Sequence, residues 1–241
     1  LRQEGFEGAV TLIGDEPGVP YQRPPLSKAY LLGKVGVAAL RFRPPEYFDE
    51  HRITRIQDSA TAIDRERREL VLASGERLAY EHLVLATGAR NRVPAVAGIE
   101  LGGVFGLRNL ADADGLSQRL GSAKRAVVIG AGFIGLEFAA VAAARGIAVD
   151  VLELGTRPMA RALSAVTSQV FDHAHARWGV RIHYGQSLAA IHGDGGQVRS
   201  VELASGEVLP ADLVVYGIGV LPNAELAAQA QLTVNNGIVV D

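Results

Sequence analysis

The sequence predicts an α/β protein, and three observations support this class. Short runs of branched apolar residues alternate with longer segments of helical periodicity, as in folds of parallel strands covered by helices. A glycine-rich turn at Gly130–Gly135 joins one such run directly to an apolar helical segment. The chain has 241 residues, of which 48% are hydrophobic and 21% charged, so a disordered protein is excluded and two ordinary domains can form.

The elements follow from these patterns in chain order. Strands are predicted from short branched apolar runs at 9–13, 83–86, 126–129, 148–152, 180–183 and 213–216. Helices are predicted at 46–51, 111–120, 133–145, 164–177 and 223–229. Polar turns between alternating segments predict two small antiparallel meanders, at 57–85 and 187–209. Leu1–Gly5 is predicted to be a helix end with a glycine stop, and 237–241 a last strand.

Two copies of one pattern occur along the chain. Leu72–Glu76 and Leu203–Glu207 both read Leu-Ala-Ser-Gly-Glu, and an apolar run ending in a small-residue turn follows each. The strands at 9–13 and 148–152 match in the same order. The repetition predicts two related, three-layer Rossmann-like domains, each with a small antiparallel meander. Because the second copy's glycine loop has its counterpart before residue 1 and the last strand has no terminator, we expect both ends to be cut.

Charge and cysteine content exclude several functions. The formal net charge of −2 provides no basic field for nucleic acid or anionic membranes. Cysteine is absent, which excludes disulfide frameworks, thiolate metal sites, cysteine nucleophiles and a redox-active disulfide. The histidines are scattered, so no metal site is predicted. We expect a soluble, cytoplasmic protein, because no secretory signal is visible and the apolar stretch 126–144 contains glycines and a glutamate.

The strongest local signal is Gly-Ala-Gly-Phe-Ile-Gly at Gly130–Gly135, between a predicted strand and a predicted helix. Gly130 permits the tight turn, and Gly132 lets a pyrophosphate approach the backbone. Gly135 lets the helix pack closely on the strand. The N–H groups at the start of the helix then bind the phosphates, so the pattern predicts a dinucleotide site.

Glu153 ends the next predicted strand, about 20 residues after the first glycine, where the motif has its acidic residue. A carboxylate there holds both hydroxyls of a ribose and repels a 2′-phosphate. The pattern therefore favours NAD over NADP. Arg157 and Arg161 are close enough in sequence to soften this preference, because either could meet a 2′-phosphate or the pyrophosphate.

Glu137 lies in the first turn of an otherwise apolar helix, where the helix dipole favours a carboxylate. If it is buried, it needs a cationic partner. Lys28 follows the run Tyr-Gln-Arg-Pro-Pro-Leu-Ser, in which two prolines fix a loop and Ser27 is predicted to cap a helix. From the residues alone, Lys28 is either a solvated surface lysine or part of a site.

Several segments carry a resemblance to a known family: Gly14–Pro17 with Tyr21–Lys28, Ala86–Arg90, Leu107–Ala113, Gly130–Glu137 and Gly217–Asn223. Together they resemble the FAD-dependent NAD(P)H:ferredoxin reductases of oxygenase systems, within the pyridine nucleotide-disulfide oxidoreductase superfamily. The likeness covers essentially the whole chain. It implies two domains of the glutathione-reductase type: a partial FAD-binding domain at 1–103, an NAD-binding domain at 104–225, and the start of a return into the FAD domain at 226–241.

The resemblance also implies a role for individual residues. Lys28 would lie near the N5 edge of the flavin and pair with Glu137, and these two are the implied catalytic residues. The implied FAD contacts are Asp15, Glu16, Arg23, Pro24, Lys28, Ala60, Ala86, Thr87, Gly88 and Arg108. The implied NADH contacts are Gly130, Gly132, Phe133, Ile134, Gly135, Glu137, Glu153, Arg161, Gly217, Ile218 and Gly219.

The implied activity is that of a flavoprotein reductase. Hydride would pass from NADH to FAD, and single electrons would then pass to a [2Fe–2S] ferredoxin or rubredoxin-type acceptor. Arg65, Arg67 and Arg68 are a candidate docking cluster, although interleaved acidic residues also fit a solvated turn. The family's first glycine loop and its C-terminal flavin contact lie outside the sequence, so we expect weak flavin binding by this chain.

Two alternative functions stay open. The chain could be a non-catalytic NAD-binding module, or the NADH-oxidising flavoprotein part of another reductase such as a nitrite reductase. A peroxidase is disfavoured because no cysteine is present to form a sulfenic acid. The net charge gives no support to an interaction protein that binds nucleic acid.

Overall fold

The computed structural model describes residues 1–240 as a mixed α/β protein. Its helices are α1 Val37–Leu40, α2 Pro45–Glu50, α3 Leu110–Leu120, α4 Phe133–Ala144, α5 Ala165–Arg177 and α6 Glu225–Gln229, with short 3-10 helices at Arg2–Glu4 and Pro24–Ser27. Its strands are β1 Val10–Gly14, β2 Ile53–Gln57, β3 Ala60–Asp64, β4 Glu69–Leu72, β5 Arg77–Ala79, β6 Ala89–Asn91, β7 Val104–Gly106, β8 Arg125–Ile129, β9 Ala148–Glu153, β10 Val180–Tyr184, β11 Leu188–Asp194, β12 Gln197–Leu203, β13 Val208–Pro210, β14 Leu213–Tyr216 and β15 Val220–Pro222.

The chain divides into two compact units, and each unit is built from separate stretches of sequence. The first unit comprises Leu1–Gln22, Ala38–Arg90 and the chain from Leu221 onward. The second comprises Arg23–Val37 and Asn91–Val220. The stretch Arg23–Val37 groups with the second unit because its 3-10 helix packs on α3 and α4.

The second unit is organised around a five-stranded parallel sheet with the order β10-β9-β8-β14-β7. Helix α4 packs against β8 and β9, and α5 packs against β10. The antiparallel meander β11-β12-β13 packs on the other face. Side chains alternate along β8, so Val128 faces α4, while Val127 and Ile129 belong to the buried apolar cluster between the sheet and the meander.

Helix α4 explains how the most apolar stretch of the chain is used. It follows β8 after a glycine turn, and Phe138 and Ala139 on it are fully buried against the sheet. It ends at Ala144 with Arg145 as its C-cap, after which Gly146 takes a left-handed conformation with φ 78°. The strand, turn and helix predicted for 126–144 are confirmed. Among residues 1–240, no helix combines the length and the apolar character needed to cross a bilayer.

The first unit contains a parallel pair and a second meander. Strands β1 and β2 run in register from Val10 opposite Ile53 to Gly14 opposite Gln57. Strands β3, β4 and β5 form the antiparallel meander, α6 packs against β3, and α2 packs against β2. The predicted helix end is present as a 3-10 turn that stops at Gly5, whose φ is 79°.

Two strands predicted from the sequence are absent. Residues 83–86 form no strand, and Val84 is 83% exposed, because no other strand lies alongside them within residues 1–240. Their counterpart in the second copy, β14, has β7 and β8 on its two sides. Residues 237–240 form no strand either: Ile238 makes an isolated bridge with Val234, and Asp241 lies outside the described residues.

The other predicted elements are present with small shifts of their ends. The remaining strand predictions correspond to β1, β8, β9, β10 and β14, and the helix predictions to α2, α3, α4, α5 and α6. The five-residue strand β2, the three-residue strands β6, β7 and β15 and the single turn α1 were not predicted, because such short runs carry too little periodicity.

Candidate functional site

Two glycines of the loop at the start of α4 are required by the packing of the second unit. Gly130 has φ 99°, and a Cβ atom on it would lie 2.8 Å from the carbonyl oxygen of Gly217. A Cβ atom on Gly135 would lie only 2.1 Å from the carbonyl oxygen of Gly130 and would also press on Val128. The close approach of helix α4 to strand β8 therefore depends on Gly135, and the close approach of the loop to the run after β14 depends on Gly130.

Gly132 differs from these two glycines. It caps α4 with φ −82°, and a Cβ atom on it would meet the Gly217 carbonyl oxygen at 3.6 Å, an ordinary contact. Packing within the unit therefore does not require glycine at position 132. The first N–H groups of α4 have no partner inside the helix, and Phe133 in this turn is 52% exposed. A glycine that leaves helix N–H groups open to an anion fits the cradle of a pyrophosphate.

Glu153 lies at the carboxyl end of β9 and is tied to the glycine loop. Its Oε2 atom accepts a hydrogen bond from the backbone N–H of Ala131 at 2.8 Å, and its Oε1 atom accepts one from Gly155 at 2.7 Å. A carboxylate has about four acceptor positions, so each oxygen keeps capacity for a further donor. This geometry suits a residue that receives two ribose hydroxyls.

The two arginines near Glu153 differ in their surroundings. The Arg157 guanidinium donates to the carbonyl oxygens of Leu163 and Ala160, at 2.7 and 2.9 Å, and to the Ser168 hydroxyl at 2.6 Å. It therefore stabilises its own loop. Arg161 is exposed on that loop. Of the two, only Arg161 has a side chain that is not already committed to this set of contacts.

The run Gly217–Gly219 follows β14 and reaches the same edge of the sheet as the glycine loop. The N–H of Gly217 donates to the Ile129 carbonyl at 2.8 Å, and the Gly217 carbonyl oxygen is the atom that a Cβ on Gly130 would meet first. Gly219 has φ 109°, and its carbonyl accepts from the N–H of Arg92 at 2.9 Å. The structure thus brings the glycine loop, Glu153 and this run together at the carboxyl ends of parallel strands, where open α/β sheets bind ligands.

Lys28 and Glu137 form an ion pair within the second unit. The Lys28 Nζ atom lies 2.9 Å from Glu137 Oε1, with the side chains 52% and 27% exposed. Lys28 Nζ also donates to the Pro24 carbonyl at 3.2 Å. The pairing implied by the resemblance is present, and Lys28 is not a freely solvated lysine. Their catalytic roles remain a prediction.

Ser27 is the site residue that the sequence analysis missed. Its hydroxyl donates to Glu137 Oε2 at 2.5 Å, and the residue is 6% exposed. The prediction that Ser27 caps a helix is wrong, because Ser27 is the last residue of the 3-10 helix Pro24–Ser27. The available signal was a small polar residue beside Lys28 in a turn that two prolines hold.

Three side-chain contacts fasten the segment around Lys28 to α3 and to the residues just before α3 and just after α4. The Arg23 guanidinium donates to the Arg108 carbonyl at 3.0 Å, and the Arg145 guanidinium donates to the Leu31 carbonyl. The Tyr30 hydroxyl donates to Asp114 at 2.5 Å, which raises the pKa of Tyr30 to about 12. The implied contact residues Arg23, Pro24 and Arg108 therefore lie in one neighbourhood of the second unit.

The start of α3 fixes the backbone at Arg108. Asn109 and Asp112 form a reciprocal capping box, in which the Asn109 side chain accepts from the N–H of Asp112 at 2.9 Å. The Asp112 carboxylate also accepts from the backbone N–H of Arg108 at 2.7 Å. The helix start therefore holds in place the carbonyl group that receives Arg23.

The first unit holds the other implied FAD contacts. Asp15 and Glu16 directly follow β1, and Ala60 begins β3. The ends of the paired strands β1 and β2 are joined by the N–H of Asp58, which donates to the Gly14 carbonyl at 3.1 Å. Asp15 and Glu16 therefore follow one end of this strand pair, and Ala60 comes shortly after the other. The Glu16 carboxylate accepts from the Tyr21 hydroxyl at 2.5 Å.

Ala86, Thr87 and Gly88 lie on an exposed stretch of the first unit. The Thr87 hydroxyl donates to the Asn223 carbonyl at 2.5 Å, and the Asn223 amide donates to the Thr87 carbonyl at 2.9 Å. The N–H of Asn223 donates to the Gly88 carbonyl at 3.0 Å. Asn223 thus fixes this stretch.

Similarity to known proteins agrees with this geometry. Residues 1–241 match the pyridine nucleotide-disulphide oxidoreductase family. Rhodocoxin reductase of Rhodococcus erythropolis is 50% identical over 242 aligned residues, which cover 100% of this chain and 57% of that protein. The crystal structure of the ferredoxin reductase for the CYP199A2 system from Rhodopseudomonas palustris gives a TM-score of 0.96 at 49% identity, covering 99% of this chain and 59% of that one.

A covalent putidaredoxin reductase–putidaredoxin complex also gives a TM-score of 0.96, at 39% identity, and covers 99% of this chain and 59% of the matched chain. The chain thus spans less than two thirds of the length of these relatives. The match along the full sequence, the glycine loop and the lysine–glutamate pair lead to one conclusion: the chain belongs to the pyridine nucleotide-disulphide oxidoreductase family.

Proposed function

We propose that the chain is the nucleotide-binding part of a flavoprotein reductase, which passes electrons from NADH through FAD to a small iron–sulfur protein. The observation that carries the proposal is the position of Glu137 near the start of α4. This helix begins directly after the glycine that caps it and presents Glu137, its fifth residue, to Lys28 and Ser27. A dinucleotide held at the loop therefore has an ion pair of defined geometry close to its binding site.

The proposed fold of the whole protein has two Rossmann-like domains of the glutathione-reductase type. The parallel sheet of the second unit, with helices on one face and a meander on the other, supports this for the NAD-binding domain. The parallel pair β1–β2 and the meander β3-β4-β5 support a related domain in the first unit. The domain bounds 1–103, 104–225 and 226–241 stay part of the proposal.

The NADH end of the reaction rests on two groups of residues. The free N–H groups at the start of α4 bind the pyrophosphate, and Gly132 leaves the space for its approach. Glu153 accepts the ribose hydroxyls and disfavours a 2′-phosphate by charge repulsion, which gives the preference for NADH over NADPH. Phe133, Ile134 and the run Gly217–Gly219 complete the proposed contacts, and Arg161 is the residue available to weaken the preference.

The flavin end rests on the Lys28–Glu137 pair. FAD supplies an acceptor for the hydride of NADH and a donor of single electrons. Lys28 has three N–H donors, of which Pro24 and Glu137 take two, so one remains for a ligand. The proposed remaining flavin contacts are Asp15, Glu16, Arg23, Pro24, Ala60, Ala86, Thr87, Gly88 and Arg108.

The proposed acceptor is a ferredoxin-like or rubredoxin-type protein, since a relative forms a complex with putidaredoxin. Arg67 is a weak candidate for docking such a partner, because it pairs with Asp64 at 3.0 Å. Arg65 donates to the Ala230 carbonyl at 3.3 Å. A cytoplasmic location, where NADH is available, remains part of the proposal.

The test is a calorimetric titration of the chain with NADH and with NADPH, followed by anaerobic absorbance spectra with added FAD. We expect NADH to bind more tightly than NADPH and to bleach the visible flavin band. The Glu137→Gln variant should slow bleaching. The control is Glu69→Gln, which should not slow it. Glu69 also forms an ion pair, with Arg77, and its side chain is 30% exposed against 27% for Glu137, but it lies in the meander of the first unit. Binding of NADH with no flavin reduction favours the NAD-binding module, and a chain that binds no NADH contradicts the proposal.

A further inference from the structure

Ser27 and Lys28 are consecutive residues that contact different oxygens of one carboxylate. Ser27 donates to Oε2 of Glu137 at 2.5 Å, and Lys28 lies 2.9 Å from Oε1. Each oxygen thus has its own donor, and the plane of the carboxylate is defined by two contacts instead of one. Nothing in the sequence motif itself distinguishes the contribution of the serine from that of the lysine.

The two donors differ in how strongly they restrict Glu137. Lys28 is a flexible side chain with a point charge and is 52% exposed, so it can follow a rotating carboxylate. Ser27 has a short side chain and is 6% exposed, and within residues 1–240 its one other near acceptor is the Pro24 carbonyl at 3.5 Å. The serine hydroxyl therefore fixes the carboxylate orientation more strictly than the lysine does.

The backbone around Ser27 is itself held. Prolines occupy the first two positions of the 3-10 helix Pro24–Ser27 and restrict its backbone dihedral angles. The neighbouring Leu26 is 2% exposed, and this turn packs on both α3 and α4. A hydroxyl on such a support is a rigid reference point for the Glu137 carboxylate on α4.

We propose that Ser27 is a positioning residue for Glu137, which orients the carboxylate toward the nicotinamide end of a dinucleotide bound at the glycine loop. This inference rests on the proposed function, because it takes the ligand to be NADH. With the carboxylate fixed by Ser27, the Lys28 ammonium stays between Glu137 and the Pro24 carbonyl and keeps its third N–H for a ligand.

The experiment compares NADH with ADP-ribose, which has the same adenosine, pyrophosphate and second ribose but no nicotinamide. Calorimetric titrations of the unaltered chain should give tighter binding of NADH. In Ser27→Ala the dissociation constant for NADH should rise about three- to tenfold, the effect of losing one hydrogen bond. The constant for ADP-ribose should stay within about twofold. Ser27→Thr, which keeps the hydroxyl, should restore most of the NADH affinity.

The matched control is Tyr30→Phe. It removes the hydrogen bond to Asp114, which fastens the same segment to α3 without touching Glu137. Tyr30→Phe should change neither constant by more than about twofold. If it reproduces the selective loss, the attachment of the segment matters and the role of the Ser27 hydroxyl is refuted. If Ser27→Ala does not fold, Ser27→Cys, a poor donor of similar size, replaces it under reducing conditions.

The remaining outcomes separate this inference from the proposed function. An equal loss of NADH and ADP-ribose affinity in Ser27→Ala, or no loss of either, overturns the positioning role while NADH binding by the unaltered chain stands. An unaltered chain that binds NADH no more tightly than ADP-ribose overturns the nicotinamide contact of the proposed function, and the role of Ser27 with it.

Discussion

Two glycine-to-alanine substitutions in the same motif should differ strongly in their effect on stability. In Gly135→Ala the new methyl group would start 2.1 Å from the Gly130 carbonyl oxygen, whereas ordinary contact begins at 3.4 Å. Backbone lies on both sides of this contact, so helix α4 and the loop must separate by about 1 Å. We expect a cost of about 3 kcal/mol in the free energy of unfolding of the second unit.

Gly132→Ala should leave stability nearly unchanged. Its methyl group would meet the Gly217 carbonyl oxygen at 3.6 Å, and the backbone already has φ −82°, which alanine adopts readily. The expected cost is about 1 kcal/mol or less, from a poorer helix cap. The same methyl group would stand in the space proposed for the pyrophosphate, so NADH affinity should fall by about tenfold or more, equivalent to about 1.4 kcal/mol.

The assay uses the single tryptophan of the chain, Trp178, which lies in the second unit at the end of α5. Its fluorescence during urea unfolding reports the stability of that unit, and NADH titrations on the same samples report binding. Equal losses of stability in the two variants would refute the steric reasoning. A Gly132→Ala variant with full NADH affinity would refute the proposed position of the pyrophosphate.

Three further predictions concern other parts of the second unit. Burial alone would raise the pKa of Asp150. Hydrogen bonds from Arg181 at 2.7 and 2.8 Å and from His183 at 2.7 Å lower it by more than burial raises it, so the pKa of Asp150 is below its usual value. Asp150→Asn should therefore cost about 2 kcal/mol at pH 7 in urea unfolding. This contribution is present above the unfolded pKa of about 3.9 and is lost as the pH falls through the lower folded pKa, so a difference that persists at strongly acid pH would contradict it. Glu153→Gln should reduce the preference for NADH over NADPH in paired titrations, because the charge that repels a 2′-phosphate is removed; an unchanged ratio would argue against the ribose contact. Tyr30→Phe should lower the unfolding free energy by about 1 kcal/mol and remove a phenol that titrates near pH 12 from the absorbance titration, and a loss below about 0.3 kcal/mol would show that the Asp114 contact adds nothing.

The fate of one repeated apolar pattern shows what the sequence could predict. Residues 83–86 and 213–216 each form an apolar run that begins with Leu-Val and ends in a small-residue turn, and both were predicted as strands. Only β14 has neighbouring strands on its two sides. A strand is completed by hydrogen bonds to partners that are distant in sequence, and a local pattern does not contain those partners.

The site divides in the same way between local and distant information. The glycine loop and Glu153 follow from spacing, because strand, turn and helix are contiguous and the fold fixes their geometry. The contact between Ser27 and Glu137 joins residues 110 positions apart, and capping preference made a helix start the natural expectation for the serine. The partner of Lys28 was predicted only through the family resemblance.

The membership of Arg23–Val37 in the second unit limits how the protein can be divided or recombined. A gene fragment for Asn91–Val220 encodes the whole five-stranded parallel sheet, but it omits Leu31, which is fully buried, and both donors to Glu137. Exchanging this fragment alone between members of the family would place the recipient's own stretch Arg23–Val37 against a foreign α4. A working chimera therefore has to transplant two separate stretches of sequence together.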